Sequence, residues 1–241
     1  MIQWSDDGFI LSARAHGEHA LIVQILTRDH GRHAGLVHGG QSARQRGTYQ
    51  SGNRVAVDWS ARLAEQLGTF RCELLENHAA GLLDDAGRLL ALSAAAVVAE
   101  KALPEREAHP GCYHAFAVLL EAFGGDHWAE IYVRWEMGLL ADLGFGLDLT
   151  SCAGGGDSDD LAYVSPKTGR AVSRAAGEPY RERLLTLPGF LLGRGPGGDQ
   201  AIAEGLALTA HFLERHVFHP QDRDLPEARQ RLAQRFHPAV P

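Results

Sequence analysis

Cysteine is scarce in this chain. Cys72, Cys112 and Cys152 are its three thiols, odd in number and far apart, so no disulfide framework is expected. Long apolar runs are missing too: the longest candidate, Leu89 to Ala99, is too short to span a membrane. The opening MIQWSDDGFI has no basic patch, apolar segment or small-residue cleavage site. That excludes a secretory signal and makes the expected location cytoplasmic. Lysine is absent from residues 1–80, where eight arginines stand against eight acids; residues 81–241 hold 15 basic and 22 acidic side chains and so carry the whole net charge of -7. The sharpest absence is local. Residues 30–57, HGRHAGLVHGGQSARQRGTYQSGNRVAV, contain no aspartate or glutamate but hold Arg32, Arg44, Arg46 and Arg54. An acidic chain repels a polyanion unless its positive charge is concentrated somewhere, and this run is such a place. A Gly-rich surface loop carrying arginine for solubility is the competing explanation.

What is present begins with strand patterns. GFILSARAHG sets Phe9, Leu11, Ala13 and Ala15 on one face and Ser12, Arg14 and His16 on the other. HALIVQILTRD is nearly continuously apolar, RDHGRHAG has hairpin punctuation, and RHAGLVHGG makes a third strand. RVAVDWSARL and GTFRCELLEN alternate again. Five strands in under 80 residues, with no room for a long crossover, suit a small barrel. Beyond residue 80 the period becomes helical: GRLLALSAAAVVAEKAL, CYHAFAVLLEAFGG, WAEIYVRWEMGLLADLGFG, IAEGLALTAHFLERHVFH and LPEARQRLAQRF. Their leucine and aromatic stripes read as core. DLAYVSPKTGRAVSR reads as a hairpin turning at Lys167–Gly169. The expected fold class is α+β: an N-terminal five-stranded OB-type β-barrel over 1–80, then an all-helical C-terminal domain over 81–241 with an inserted loop or hairpin around 150–176.

Catalytic signatures are lacking. GRGPGGDQ has no GK[ST], so it cannot serve a nucleotide triphosphate, and no G-x-S-x-G elbow occurs. Asp157, Asp159 and Asp160 resemble the start of a calcium loop, but Ala162 stands where glycine is required and Thr168 where glutamate is. His216, His219 and Asp222 have ligand-like spacing that Pro220 interrupts, and Cys152 is followed by Gly155 where a C-x-x-C pair needs its second thiol. No nucleophile, base and oxyanion hole assemble. The expectation is a non-enzyme with no cofactor and no metal.

Binding remains. Arginine neutralises phosphate and an aromatic ring offers a stacking surface, so a barrel with an Arg-bearing loop points to nucleic acid. Tyr49, in the polar loop, is the stacking candidate; Trp59 sits on an apolar strand face, where a core role is at least as natural.

At this point the chain resembles the bacterial DNA repair and recombination protein RecO family over nearly its full length. The resemblance rests on GFILSARAHGEHALIVQILTRDHGRHAGLVHGG, YVRWEMGLLADLGFGLDLTSC, LAYVSPKTGRAVSRAAGEPY and LLTLPGFL. It implies an OB-fold and a helical domain, binding of single- and double-stranded DNA, strand annealing, nucleoid association, and work with RecR and RecF to load recombinase. The loading takes place on DNA coated by single-strand-binding protein, whose C-terminal tail is an implied partner. The basic segment after the third strand is where relatives contact DNA. Here it keeps Arg44 and Arg46, with Arg32 and Arg54 added by proximity, but Gln41, Gln45 and Gln50 make it less basic. Zinc-bearing members have two C-x-x-C pairs; this chain has Cys152 with Gly155, and Ser173 with Ala176. Arg229, Arg231 and Arg235 on the last helix are candidates for an acidic partner tail, against the plainer reading of a solvated helix face. The alternative function is a protein-interaction scaffold with incidental DNA contact. A metal-dependent hydrolase built from the 13 histidines is a weaker third.

Overall fold

The structure is a computed structural model that describes residues 1–236. It forms two compact units, one of Met1–Phe123 and one beginning at Gly124.

In the first unit, five strands run β1 (Ile2–His16), β2 (Ala20–Thr27), β3 (Gly31–Val37), β4 (Arg54–Ala61) and β5 (Thr69–Glu76). Their order is β1-β2-β3-β5-β4, and β1 pairs antiparallel with both β2 and β4, so the sheet closes on itself. One parallel pairing, Leu36 with Thr69, joins β3 to β5. β1 is longer than its alternating segment because Ile2–Asp7, polar in pattern, pairs along β4 from Ala61 back to Ala56. A bulge between Ile10 and Ser12 bends the strand as it passes from one partner to the next. The interior holds Ile10, Val23, Ile25, Val37, Val55, Val57, Trp59 and Phe70. Gly35 makes room for Phe70: a Cβ there would lie 2.4 Å from its ring.

Two helices complete this unit: α1 (Ala86–Ala102) and α2 (Pro110–Ala122). Asp85 caps α1 by accepting from the backbone N–H groups of Gly87 (2.9 Å) and Arg88 (3.0 Å). Buried Ala91, Ala94, Ala95, Ala96 and Ala99 let α1 lie close to its neighbours. Phe9 of β1 packs on Tyr113 (5.1 Å between ring centroids) and Phe116 (5.5 Å) of α2. These contacts carry the compact unit past residue 80, the boundary read from the sequence.

The second unit contains α3 (Trp128–Asp142), β6 (Leu161–Val164), β7 (Ala171–Ser173), the single turn α4 (Arg174–Gly177), β8 (Leu185–Thr186), α5 (Asp199–Leu213) and α6 (Glu227–Phe236). The expected hairpin is β6 and β7, and β8 adds a third strand in the order β7-β6-β8. The region after residue 80 is therefore mixed, not all-helical. LLTLPGFL contributes a two-residue strand because Leu185 and Thr186 pair with Val164 and Tyr163, too short a run for periodicity to register. The last long helical segment also divides: α5 ends at Leu213, a π-turn covers Glu214–Phe218, and Pro220 sits in a 3-10 turn.

Candidate nucleic-acid interface

Between β3 and β4 the chain crosses residues 38–53 in a succession of turns. Gly39, at φ +70°, and Gly52, at φ +88°, supply left-handed backbone at its two ends. Polar side chains pin the loop to the sheet. Gln41 donates through Nε2 to the carbonyls of Gly17 (3.0 Å) and Ala20 (2.8 Å), tying the loop to the β1–β2 hairpin. The Ser51 hydroxyl donates to the Leu11 carbonyl at 2.9 Å. Asn53 is fully buried; its Nδ2 donates to Gly47 O at 2.7 Å and its Oδ1 accepts from Ala79 N at 3.3 Å. Sequence reading missed all three. For Ser51 and Asn53 the only signal is their type, since short amides and hydroxyls favour turns; the longer amide of Gln41 gives none.

The four arginines of the acid-free run separate by what they touch. Arg44 and Arg46 are exposed in the loop, and among the described residues neither side chain makes a hydrogen bond or ion pair. Arg32 is engaged: its Nε donates to Leu103 O (2.9 Å) and its Nη1 to Gln24 Oε1 (3.0 Å). Arg54 is engaged as well, paired to Asp7 through Nη2 and to Glu76 through Nη1 at 2.8 Å. Asp7 also accepts from the Tyr113 hydroxyl at 2.7 Å. Burial alone would raise the Asp7 carboxyl, but the Tyr113 hydroxyl and Arg54 together hold it below its ordinary value. Proximity in sequence had grouped Arg32 and Arg54 with the loop; their strands turn both guanidiniums onto partners inside the unit.

Tyr49 is not on the surface. It is 6% exposed and belongs to the interior cluster. Burial holds its hydroxyl well above the usual phenol range, with the Cys72 thiol beside it. Cys72 is in turn pushed up to about 12 by burial. The polar neighbours of Tyr49 in sequence concealed this placement.

In the second unit α6 offers less than its sequence suggested. Arg229 is fully buried and grips Glu136 with two bonds, Nε to Oε1 at 2.5 Å and Nη2 to Oε2 at 2.9 Å. Nη2 also donates to Leu206 O at 2.7 Å. This arginine locks α6 to α3 and α5 and is removed from any partner surface. Arg231 and Arg235 are exposed, and Arg231 pairs with Glu227 at 3.7 Å. The positions of the two zinc pairs hold one thiol that could serve as a ligand. Cys152 Sγ accepts from Ser173 N at 3.2 Å, and a Cβ on Gly156 would lie 2.2 Å from Ser173 Oγ. A single thiolate packed against serine does not fit a four-ligand zinc site.

A closed five-stranded sheet bearing a loop of free arginines, in a chain of two compact α+β units, defines a modular protein whose distinctive surface is a cationic loop. The chain belongs to the recombination protein O family. The model for the N-terminal part, Recombination protein O N terminal, matches residues 1–78, and that for the C-terminal part, Recombination protein O C terminal, matches residues 83–225. The chain is 57% identical over 240 residues to the DNA repair protein RecO of Rhodospirillum centenum, covering 99% of this chain and 96% of that one. It is 51% identical to the protein of the same name from Rhodospirillum rubrum, over 98% and 97% of the two chains. A third, from Phenylobacterium zucineum, is 52% identical over 99% of each. Membership places the chain in DNA repair and recombination. No helix among the described residues is long and apolar enough to cross a membrane.

Proposed function

We propose that this protein is a DNA-binding recombination mediator. It binds single- and double-stranded DNA through residues 38–53, anneals complementary strands, and acts with RecR and RecF to load recombinase on DNA coated by single-strand-binding protein. No covalent chemistry is assigned to it. The observation that carries the reading is the pair Arg44 and Arg46, exposed and, among the described residues, unpaired in a segment without acids. The strand order β1-β2-β3-β5-β4, closing on β1, supports an OB-type barrel within residues 1–80, an architecture that binds oligonucleotides. Arg32 and Arg54 act from beneath, fixing the strands that present the loop. The tail of single-strand-binding protein is assigned to the second unit, with Arg231 and Arg235 as the remaining exposed candidates on α6.

Charge-reversing both loop residues, Arg44→Glu with Arg46→Glu, is expected to abolish most single-stranded DNA binding in an anisotropy titration and to slow annealing in parallel. Undiminished affinity in a folded double variant would remove the loop from the account. Two exposed apolar side chains near the loop, Leu83 and Leu89, keep a second reading in view, a scaffold whose first unit docks a protein. In that case the arginine double variant keeps partner binding, and Leu83→Glu with Leu89→Glu loses it.

A further inference from the structure

β5 lies at the seam of the closed sheet. Its one pairing with β3 sets Thr69 against Leu36, and past Thr69 its residues face β4 alone. Backbone groups along a strand point to alternate sides. The Gly68 carbonyl, which accepts from Leu36 N at 3.0 Å, marks the side toward β3, so Phe70, Cys72 and Leu74 point the same way. Among the described residues the Phe70 carbonyl, both backbone groups of Cys72 and the Leu74 N–H have no partner there. A bulge ends the regular stretch, because Val55 faces Leu74 while Arg54 faces Glu76 and leaves Leu75 as the extra residue. An open strand edge of this kind accepts another chain by continuing the sheet. We infer that this edge docks a second copy of the chain, whose own residues 70–74 pair with it antiparallel about a two-fold axis.

Charge selects both the partner and the register. Phe70 and Cys72 pack toward the interior, so Arg71 and Glu73 between and beyond them point outward. Both are exposed, and among the described residues neither makes a hydrogen bond or ion pair. Within the chain Glu73 faces Ala56, and Asp58, which faces Arg71, accepts from the Ser5 hydroxyl at 2.5 Å. A two-fold axis makes every facing pair occur twice. Centred on Cys72, the pairing sets Arg71 opposite Glu73 of the second copy, and Glu73 opposite its Arg71. Centred one residue to either side, it sets Arg71 against Arg71 or Glu73 against Glu73, and like charges directly opposed are destabilising. Cys72 is also the midpoint of residues 70–74, so the favoured register uses the whole regular stretch.

The same register satisfies the open backbone groups. Each Cys72 N–H donates to the other Cys72 carbonyl, and each Leu74 N–H to the other Phe70 carbonyl. Phe70 then faces Leu74, covering a leucine that is 38% exposed in the single chain. Both copies use the same edge, so assembly closes at two. Such a dimer forms without DNA, whatever the loop of residues 38–53 binds.

Sedimentation velocity of the purified full chain over a concentration series tests this. Wild type is expected to pass from monomer to dimer in the micromolar range, as suits a small interface. Arg71→Glu alone, or Glu73→Arg alone, makes both facing pairs repulsive and should weaken the dimer by about tenfold or more. Arg71→Glu together with Glu73→Arg restores opposite charges across the axis and should return the dimer to wild-type strength. A wild type that stays monomeric through a series reaching well above the micromolar range overturns the inference. So does a dimer that the single reversals leave intact, or one that the double reversal fails to restore. Should a reversal prevent folding, amide hydrogen exchange of wild type decides: Cys72 and Leu74 should exchange more slowly at high protein concentration than at low. Exchange at these two amides that is independent of concentration overturns the inference.

Discussion

Guanidinium groups in this chain take opposite roles according to what surrounds them. Among the described residues Arg44 and Arg46 face solvent without partners, Arg32 and Arg54 brace strands, and Arg229 is enclosed with Glu136. The enclosed pair is the most exacting, because removing one member strands a buried charge. Arg229→Ala is expected to cost about 3–5 kcal/mol of unfolding free energy in urea denaturation, whereas Arg231→Ala, at an exposed pair, should cost under about 1 kcal/mol. Replacing both Arg229 and Glu136 by apolar residues of similar size should recover much of the loss; an equal loss in single and double variants would contradict the buried-charge explanation. His33 gives a pH dependence. Burial lowers its pKa from 6.5 against the opposing pull of its bond to the Ala34 carbonyl. The unfolded chain therefore takes up a proton that the folded state resists, so this contribution is complete above 6.5 and is lost as pH falls below it. The unfolding temperature of wild type should drop between pH 7.5 and 5.5 more steeply than that of His33→Gln. Parallel profiles would show that His33 does not carry the effect.

At the scale of elements, the decisive piece is an irregular one. The loop of residues 38–53 keeps its shape through Gln41, Ser51 and Asn53, and Asn53 joins both its own turn and the backbone at Ala79. Asn53→Ala would leave these buried partners unmatched, at about 1–3 kcal/mol, and should weaken single-stranded DNA binding although no charge is altered. Retained affinity with lowered stability, seen by titration and calorimetry together, would separate loop shape from binding. The five strands of the closed sheet and five of the helices were legible because their alternation and helical stripes extend over many residues, and the β6–β7 hairpin was legible from its turn residues. The start of β1, β8 and the π-turn were not, since pairing partners and Pro220 decide them. The free arginines were legible as a charge gap. Which of the four were free was not, because that depends on Asp7, Glu76, Gln24 and Leu103 arriving from elsewhere in the unit. Tyr49 shows the same limit: polar neighbours in sequence said nothing of the interior it enters.

Over the whole molecule, charge is distributed unevenly, and residues 30–57 form a long run without an acid. Residues 81–241 carry the full net charge of -7, and residues 1–80 are neutral; the proposed phosphate contact therefore has to be made by local patches. Such contact releases counterions, so affinity must fall as salt rises, with a slope set by the number of phosphates neutralised. The direct test is the salt dependence of single-stranded DNA binding, measured by anisotropy for wild type and for Arg44→Ala with Arg46→Ala. Removing two phosphate-contacting arginines should lower the slope of log K against log salt by roughly two units and weaken binding most at low salt. A folded double variant with the wild-type slope and affinity would contradict the assignment of DNA binding to this loop.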